Sequence, residues 1–348
     1  MVFLLICALS FYLIAGHFGI SNIFRLTVLG FLYGVVLLSH LVLPDAHPFR
    51  VATGYTIAPW AIVGGFVAMI FLYRFGLKQL SVRAKEKEIS EDVASSDVMR
   101  TAERERYSRH IVLREIGGPG QMALKRAKVL VIGAGGLGAP ALQYLAASGI
   151  GTIGVIDNDV VENANLQRQI IHQDKTIGIP KVFSAQSAML AQNPYINVKP
   201  YYRRLSEDIA KKLFSEFDLI LEGSDNFETR YLANRTAHEL GMPLVSGSLS
   251  QWEGQISVFD TAKGSPCYEC VFPPSPAVGL APTCAQAGVF APLPGVIGTM
   301  MASEALKIIT SSGEVLRNEL FIYDSLFGES RKIGLSKRHD CSVCGAIE

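Results

Sequence analysis

The sequence predicts an α/β fold with a parallel or mixed sheet, preceded by α-helices that cross a membrane. Three observations in the 348 residues support this prediction. Segments typical of strands and of helices alternate from Lys128 onward, as in proteins that connect parallel strands through helices. A glycine-rich turn joins the first of these strands to the first helix. Before Lys78 only four residues carry a formal charge, namely Arg25, Asp45, Arg50 and Arg74.

Residues 1–77 contain three apolar segments long enough to span a bilayer, which takes about 20 residues. They run from Val2 to about Ile20, from about Leu26 to Leu43 and from about Ile57 to Tyr73. The first lacks the basic start and the small-residue cleavage site of a signal peptide, so we expect it to be retained. Arg74 and the basic residues after it predict that the third span ends in the cytoplasm. We therefore expect a multi-pass protein of the cell inner membrane.

Residues 78–102 are polar and of mixed charge, which is typical of a linker or a solvated helix. A folded cytoplasmic domain is then expected over residues 103–348. The whole chain carries 32 basic and 31 acidic residues, so its net charge gives no support for a nucleic-acid partner.

The turn after the first predicted strand reads G-x-G-x-x-G, with glycines at 133, 135 and 138. This is the fingerprint of a Rossmann-like nucleotide-binding unit. Gly133 allows the tight turn, Gly135 lets a phosphate approach the backbone, and Gly138 lets the helix pack closely on the strand. Asp157 ends the second predicted strand, where a carboxylate suits the ribose hydroxyls of NAD or of ATP. The turn and this carboxylate leave both nucleotides open.

Residues further along the chain favour a triphosphate. Arg168 offers a bidentate fork and Lys181 a point charge, and both follow Asn165 beyond the second strand. Either cation alone is equally typical of a protein surface. Asp225 follows the apolar part of a later strand, where it could hold Mg²⁺ or simply form a turn.

The cysteines form two close pairs, Cys267-x-x-Cys270 and Cys341-x-x-Cys344. Four thiolates in this spacing favour a closed, tetrahedral structural zinc site over a pair of redox motifs. Cys284 stands alone in a segment rich in proline, glycine and alanine. It is either a nucleophile that takes part in sulfur transfer or a small buried apolar residue.

These motifs together resemble the MoeB/ThiF/HesA adenylyltransferases, the bacterial relatives of ubiquitin-activating enzymes. The resemblance covers about residues 103–348 and rests on seven segments in family order: RYSRHIVLREIG, VLVIGAGGLGAPALQYLAASGIGTIGVIDNDVVENANLQRQ, GIPK, GSDNFETR, EGQISVFD, PCYEC and CSVC. It implies that ATP adenylates the C-terminal Gly-Gly carboxylate of a ubiquitin-like sulfur carrier similar to MoaD or ThiS, with release of pyrophosphate. A sulfur donor then attacks the acyl-adenylate, in molybdopterin or thiamine-type cofactor biosynthesis. The membrane segment is not part of the family pattern.

The resemblance also implies roles for single residues. The glycine turn, with Gly136, would hold ATP, and Asp157 would bind the ribose. The expected phosphate and nucleotide contacts are Asp159, Asn165, Arg168 and Lys181. Asp225 would bind Mg²⁺, Arg109 would reach across a homodimer into the partner's site, and the four paired cysteines would bind Zn²⁺. Cys284 corresponds to the cysteine that joins covalently to the carrier in ThiF-like members.

The expected partners are a carrier ending in Gly-Gly, a second copy of the chain, and a separate sulfur donor of the rhodanese or cysteine desulfurase type. The donor is expected to be separate because the sequence ends shortly after the second cysteine pair. Two alternatives stay open. One is the adenylation of a different carboxylate, such as one on a modified tRNA base, and the other is a membrane-tethered scaffold that binds a carrier without turnover.

Overall fold

A computed structural model of the chain describes residues 2–54, 56–92, 99–273 and 288–345. Contacts divide the chain into two compact units, Met1–Ala94 and Ser95–Glu348. The first unit is helical, and the second contains the sheet.

The helices of the first unit are α1 (Val2–His17), α2 (Asn22–Val42), α3 (Pro48–Thr53) and α4 (Ala58–Asp92). Among the described residues, Asn22–Val42 and Ala58–Leu77 are long and apolar enough to cross a membrane, each with a mean hydropathy of 1.7. The helix in the first predicted span has 16 residues and ends at His17. The third apolar segment continues without a break into a 35-residue helix, so the polar region after it is helical as far as Asp92.

The second unit is built on one eight-stranded mixed sheet with the order β3-β2-β1-β4-β5-β6-β7-β8. Its strands are β1 (Lys128–Ile132), β2 (Thr152–Asp157), β3 (Asn197–Tyr202), β4 (Leu219–Glu222), β5 (Leu244–Leu249), β6 (Glu253–Phe259), β7 (Glu319–Asp324) and β8 (Glu329–Gly334). The pairs among the first five strands are parallel, and those from β5 to β8 are antiparallel. The α/β prediction is therefore confirmed, in its mixed form.

Helices cover both faces of this sheet. They are α5 (Thr101–Arg106), α6 (Ser108–Ile111), α7 (Gly117–Arg126), α8 (Gly138–Ser148), α9 (Lys181–Gln192), α10 (Glu207–Phe214), α11 (Phe227–Glu239), α12 (Tyr268–Val271) and α13 (Pro292–Thr310). Along β1, Val129 and Val131 join the core formed with α8, α9 and α13. Leu130 and Ile132 point the other way, into the core formed with α10 and α11. A strand buried on both faces needs this continuous apolar run.

The strand order reverses beside β1, because the chain builds β2 and β3 on one side of β1 and β4 and β5 on the other. In open α/β sheets, ligands bind in the crevice outside the carboxyl ends of the strands at such a switch point. Here the turn after β1 and the loop after β4 meet closely. A Cβ placed on Gly133 would lie 3.4 Å from the Gly223 carbonyl oxygen.

Candidate functional site

A cavity of about 880 Å³ opens at this edge of the sheet. Eight of the residues singled out in the sequence line it: Gly133, Gly135, Gly136, Asp157, Asp159, Arg168, Lys181 and Asp225. Gly138, Asn165 and Arg109, which are also described, lie outside its lining. Cys284 falls outside the described residues.

The glycine turn has the geometry that its spacing predicts. Gly133 has a φ of +92°, in the region that only glycine adopts without strain. A Cβ on Gly138 would lie only 1.9 Å from the Gly133 carbonyl oxygen, so α8 can begin this close to the turn only with glycine there. Gly135 and Gly136 face the cavity between these two positions.

Asp157 holds the glycine turn while it lines the cavity. Its Oδ2 accepts a hydrogen bond from the Ala134 N–H at 2.8 Å, and its Oδ1 accepts one from the Asp159 N–H at 2.8 Å. Burial raises the pKa of this carboxyl above its ordinary value. Each carboxylate oxygen can accept further hydrogen bonds, so the side chain can also bind a ligand hydroxyl.

Two of the cations in the cavity lining, Lys181 and Arg168, were singled out in the sequence. Lys181 begins α9 and is 5% exposed, and its Nζ lies 2.7 Å from the Oδ2 of Asp159. Arg168 donates from Nη1 to the Ala164 carbonyl at 3.2 Å and from Nη2 to the Oδ1 of Asn165 at 3.5 Å. Asn165 thus contacts the arginine side chain, although it does not line the cavity.

The loop after β4 contains a residue that caps a helix and a residue that lines the cavity. Asn226 caps α11, because its Oδ1 accepts a hydrogen bond from the Thr229 N–H at 2.9 Å. The neighbouring Asp225 is exposed and lines the cavity. Asn226 thus caps the helix, and Asp225 lies in the lining of the cavity.

A buried ion pair behind this loop was missed by the sequence reasoning. Glu222 ends β4, and its Oε2 lies 3.0 Å from the Nη1 of Arg230 on α11. Both residues hold the loop, since Glu222 Oε1 accepts from the Ser224 N–H at 2.6 Å and Arg230 Nη2 donates to the Ser224 carbonyl at 2.5 Å. The available signal was a glutamate at the end of an otherwise apolar strand.

The sequence motifs also did not indicate the aromatic side chains in and near this region. Tyr268 and Phe272 line the cavity, and burial raises the pKa of Tyr268 to about 12, so its hydroxyl stays protonated at neutral pH. Trp252 stacks on Phe290 with ring centroids 4.6 Å apart. Leu249 lines the cavity, whereas Trp252 and Phe290 do not.

The four paired cysteines converge at a separate place. Their Sγ atoms all lie within 4.8 Å of one another, and all four residues are buried. The shortest contacts are 3.3 Å for Cys270–Cys344 and 3.5 Å for Cys267–Cys341. This cluster could hold a metal ion, and it joins α12 to the C-terminal segment. The predicted convergence of the two pairs is confirmed.

Arg109 lies on α6 and is exposed, away from the cavity of its own chain. The lining of the cavity combines a glycine turn with cationic and acidic side chains at a sheet switch point. The cations are Arg168, Lys181, Arg203, Arg204 and Arg230, and the acids are Asp157, Asp159 and Asp225. Backbone amides at helix starts and cations are the groups that bind phosphates, so this arrangement can hold a polyphosphate.

Comparisons with known proteins agree with this geometry. The sequence model of the ThiF family matches residues 107–343. A sulfur carrier protein adenylyltransferase of Thermus thermophilus is 45% identical over 247 residues, which cover 70% of this chain and 91% of that protein. A probable adenylyltransferase/sulfurtransferase MoeZ of Mycobacterium tuberculosis is 47% identical over 235 residues, 67% of this chain and 60% of that protein. The crystal structure of E. coli MccB with ATP superposes with a TM-score of 0.62 at 25% identity, covering 69% of this chain and 75% of the MccB chain.

Proposed function

Because this chain belongs to the ThiF family, we propose that its cavity binds ATP and that the protein adenylates the C-terminal carboxylate of a sulfur carrier protein. It is an adenylyltransferase of the ThiF/MoeB type. One observation carries the proposal. The glycine turn, Arg168, Lys181 and Asp225, which are far apart in the sequence, line one cavity at the switch point of the sheet.

The cavity suggests how ATP would lie. The ribose hydroxyls would reach Asp157, and the phosphates would follow the amides of the glycine turn towards Arg168 and Lys181. Asn165 orients the guanidinium of Arg168 through its amide oxygen. Lys181 would exchange its present partner Asp159 for a phosphate oxygen.

The reaction needs positioning and charge neutralisation more than a base. The carrier's terminal carboxylate is already an anion, and it attacks the α-phosphorus as the bond to the leaving pyrophosphate breaks. Arg168 and Lys181 would stabilise the negative charge that shifts to the pyrophosphate. Asp225 would hold Mg²⁺, which neutralises phosphate charge when it is bound.

The carrier would dock beside the stacked rings of Trp252 and Phe290. Trp252 and Phe290 are 39% and 38% exposed, and Leu326 and Phe327 are 53% and 74% exposed. The turn that carries these last two residues adjoins Trp252, since the Ser325 N–H donates to the Trp252 carbonyl at 2.8 Å. An exposed apolar ridge of this kind suits the docking of a partner protein.

The protein would act as a homodimer in which Arg109 enters the partner's site, and a separate sulfur donor would consume the acyl-adenylate, with Cys284 as a candidate for covalent attachment of the carrier. Four thiolates suit zinc, because tetrahedral Zn–S bonds of about 2.3 Å place the sulfurs about 3.8 Å apart. Three of the six Sγ–Sγ distances are 3.3, 3.5 and 3.9 Å, close to that value, and all six are within 4.8 Å. The ion would have a structural role, with no open position for a substrate.

The N-terminal unit would anchor the enzyme in the cell inner membrane with the catalytic domain in the cytoplasm. This part of the proposal rests on the two apolar helices, Asn22–Val42 and Ala58–Leu77, and on the basic residues that follow the second.

The decisive experiment is ATP–pyrophosphate exchange by the full-length chain in detergent with Mg²⁺ and candidate carriers that end in Gly-Gly. We expect exchange with one carrier, no exchange when its last two glycines are deleted, and a loss of at least about 100-fold in Arg168→Ala. Arg235→Ala is the matched control, because Arg235 lies on α11 away from the cavity and pairs with Glu207 at the surface. A carrier that binds without exchange would favour the scaffold. Exchange driven only by another carboxylate would favour a different substrate.

A further inference from the structure

The residue between the first two glycines of the turn is held at both of its backbone groups. The N–H of Ala134 donates to Asp157, as described above. On its other side, the Ala134 carbonyl oxygen lies 2.9 Å from the Nε2 of His172. Both Ala134 and His172 are buried, and His172 does not line the cavity.

His172 also contacts the helix that carries the buried lysine. Its Nδ1 lies 2.9 Å from the Oγ of Ser184, which is on α9 one turn after Lys181. The hydroxyl of Ser184 in turn donates to the Oγ1 of Thr176 at 3.0 Å. The imidazole therefore links the glycine turn to the start of α9 through side chains that are shielded from water.

The partners of the ring determine where its proton lies. A backbone carbonyl only accepts hydrogen bonds, so Nε2 must carry a hydrogen. Burial, together with the charge of Lys181, lowers the pKa of His172, which favours the neutral ring.

The Ala134 carbonyl and the Gly135 N–H belong to one planar peptide group and point in opposite directions. A bond that fixes the carbonyl towards His172 therefore also fixes the Gly135 N–H away from it. Glycine next to this peptide offers little resistance to a peptide flip, because glycine adopts both signs of φ. Without the bond to His172, the amide that should meet a phosphate would lose its fixed direction.

We propose that His172 is a positioning residue for the nucleotide: its Nε2–H holds the Ala134 carbonyl and thereby aims the Gly135 N–H into the cavity. This role rests on the proposed binding of ATP. His172 touches neither ATP nor the carrier, and it acts through the turn.

Three substitutions separate the two sides of the ring. His172→Gln keeps a donor near the position of Nε2, His172→Asn keeps one near Nδ1, and His172→Phe keeps neither. His238→Phe is the matched control, because His238 lies away from the cavity. Its Nδ1 is 2.9 Å from the hydroxyl oxygen of Thr261. Ser184→Ala is a milder change that removes only the contact with Nδ1.

The first measurement is amide hydrogen exchange of the peptide covering residues 133–136 in the full-length chain without nucleotide. We expect exchange roughly tenfold faster in His172→Phe, a smaller increase in Ser184→Ala, and wild-type protection in His172→Gln and His238→Phe. The second is pyrophosphate exchange. We expect KM for ATP to rise about tenfold in His172→Phe while kcat changes less than about threefold, with rescue in His172→Gln but not in His172→Asn.

Unchanged exchange at the turn in a folded His172→Phe, or equal defects in His172→Gln and His172→Phe, would overturn this proposal. If His172→Phe does not fold, wild-type protection of the turn in Ser184→Ala, together with no recovery of the fold in His172→Gln, would overturn it. The hydrogen-exchange measurement needs no nucleotide. A wild-type chain that binds no ATP would therefore refute the proposed function and leave the test of the turn intact.

Discussion

Replacing Glu222 by glutamine should be one of the most damaging single changes near the site, although it preserves the shape of the side chain. The two partners of this ion pair are almost wholly buried, with side-chain exposures of 1% for Glu222 and 7% for Arg230, and lie 3.0 Å apart. The substitution leaves the guanidinium charged and shielded from water without its counter-ion. Ser224, which both partners hold, also loses part of its support.

The expected magnitude follows from burial. Removing one partner of a buried ion pair costs about 3–5 kcal/mol. For a unit of about 250 residues each kcal/mol lowers the unfolding midpoint by about 2–4 °C, so the midpoint should fall by roughly 6–20 °C. Glu228→Gln is the matched control, because the Arg204–Glu228 pair is even shorter, at 2.6 Å, but is 58% and 80% exposed. That change should cost about 0–1 kcal/mol.

The assay is thermal unfolding of the full-length chain in detergent, followed by tryptophan fluorescence at one scan rate for all variants. Glu222→Gln combined with Arg230→Met should recover part of the lost stability, because the double variant leaves no unpaired charge. If Glu222→Gln and Glu228→Gln unfold within about 2 °C of each other, burial does not control the strength of these pairs and the reasoning fails.

Three further predictions concern the turn, its carboxylate and the cysteine cluster. Because burial raises the pKa of Asp157, its carboxyl should become protonated at a pH above the ordinary pKa of 3.8, and this should weaken ATP binding. Titrations of ATP binding between about pH 4 and 7 should therefore show an acid limb that Asp157→Asn lacks. The same raised pKa means that Asp157 contributes stability that is fully present below its unfolded pKa and lost as pH rises through its folded pKa. Gly138→Ala should lower the unfolding midpoint by at least the equivalent of about 1–3 kcal/mol, since the new Cβ would lie 1.9 Å from a backbone oxygen. Gly118→Ala is the control, because a Cβ there has no atom within 4 Å and should change the midpoint little. Equal midpoints for the two variants would contradict the close packing at Gly138. Cys341→Ser should release the bound metal and expose the C-terminal segment to limited proteolysis, and an unchanged metal content in elemental analysis would refute a four-thiolate site.

Sequence alone predicts the elements of this fold best where the apolar pattern is strong. The strands β1, β2 and β4 lie where the sequence indicated them, and α8 follows the glycine turn as expected. This helix ends before Gly149, which has the left-handed φ of +82° typical of such a cap. β3 and β8 carry weaker signals. β3 contains Pro200, which suits an edge strand, and β8 is exposed along its whole length. An exposed edge strand needs no apolar alternation, so its sequence resembles a loop.

The same limit applies to the site. The glycine turn and the cysteine pairs were predictable because their spacing is short and their chemistry restricts the residue type. The contact of His172 with Ala134 spans 38 positions, and so does the stacking of Trp252 on Phe290. Neither pair follows a local pattern. Such contacts depend on how the strands order themselves in the sheet, which periodicity does not encode.

The glycine turn is compatible with either a dinucleotide or a triphosphate. The ion pair of Lys181 and Asp159 bears on which of the two the cavity can bind. Lys181 is buried, but its partner Asp159 is 61% exposed in its side chain. The aspartate can therefore turn into solvent at little cost, whereas the lysine cannot leave the cavity. An anion that enters can replace Asp159 without leaving a buried charge unpaired at any stage. This asymmetry makes the charge of Lys181 available to an anion that displaces Asp159.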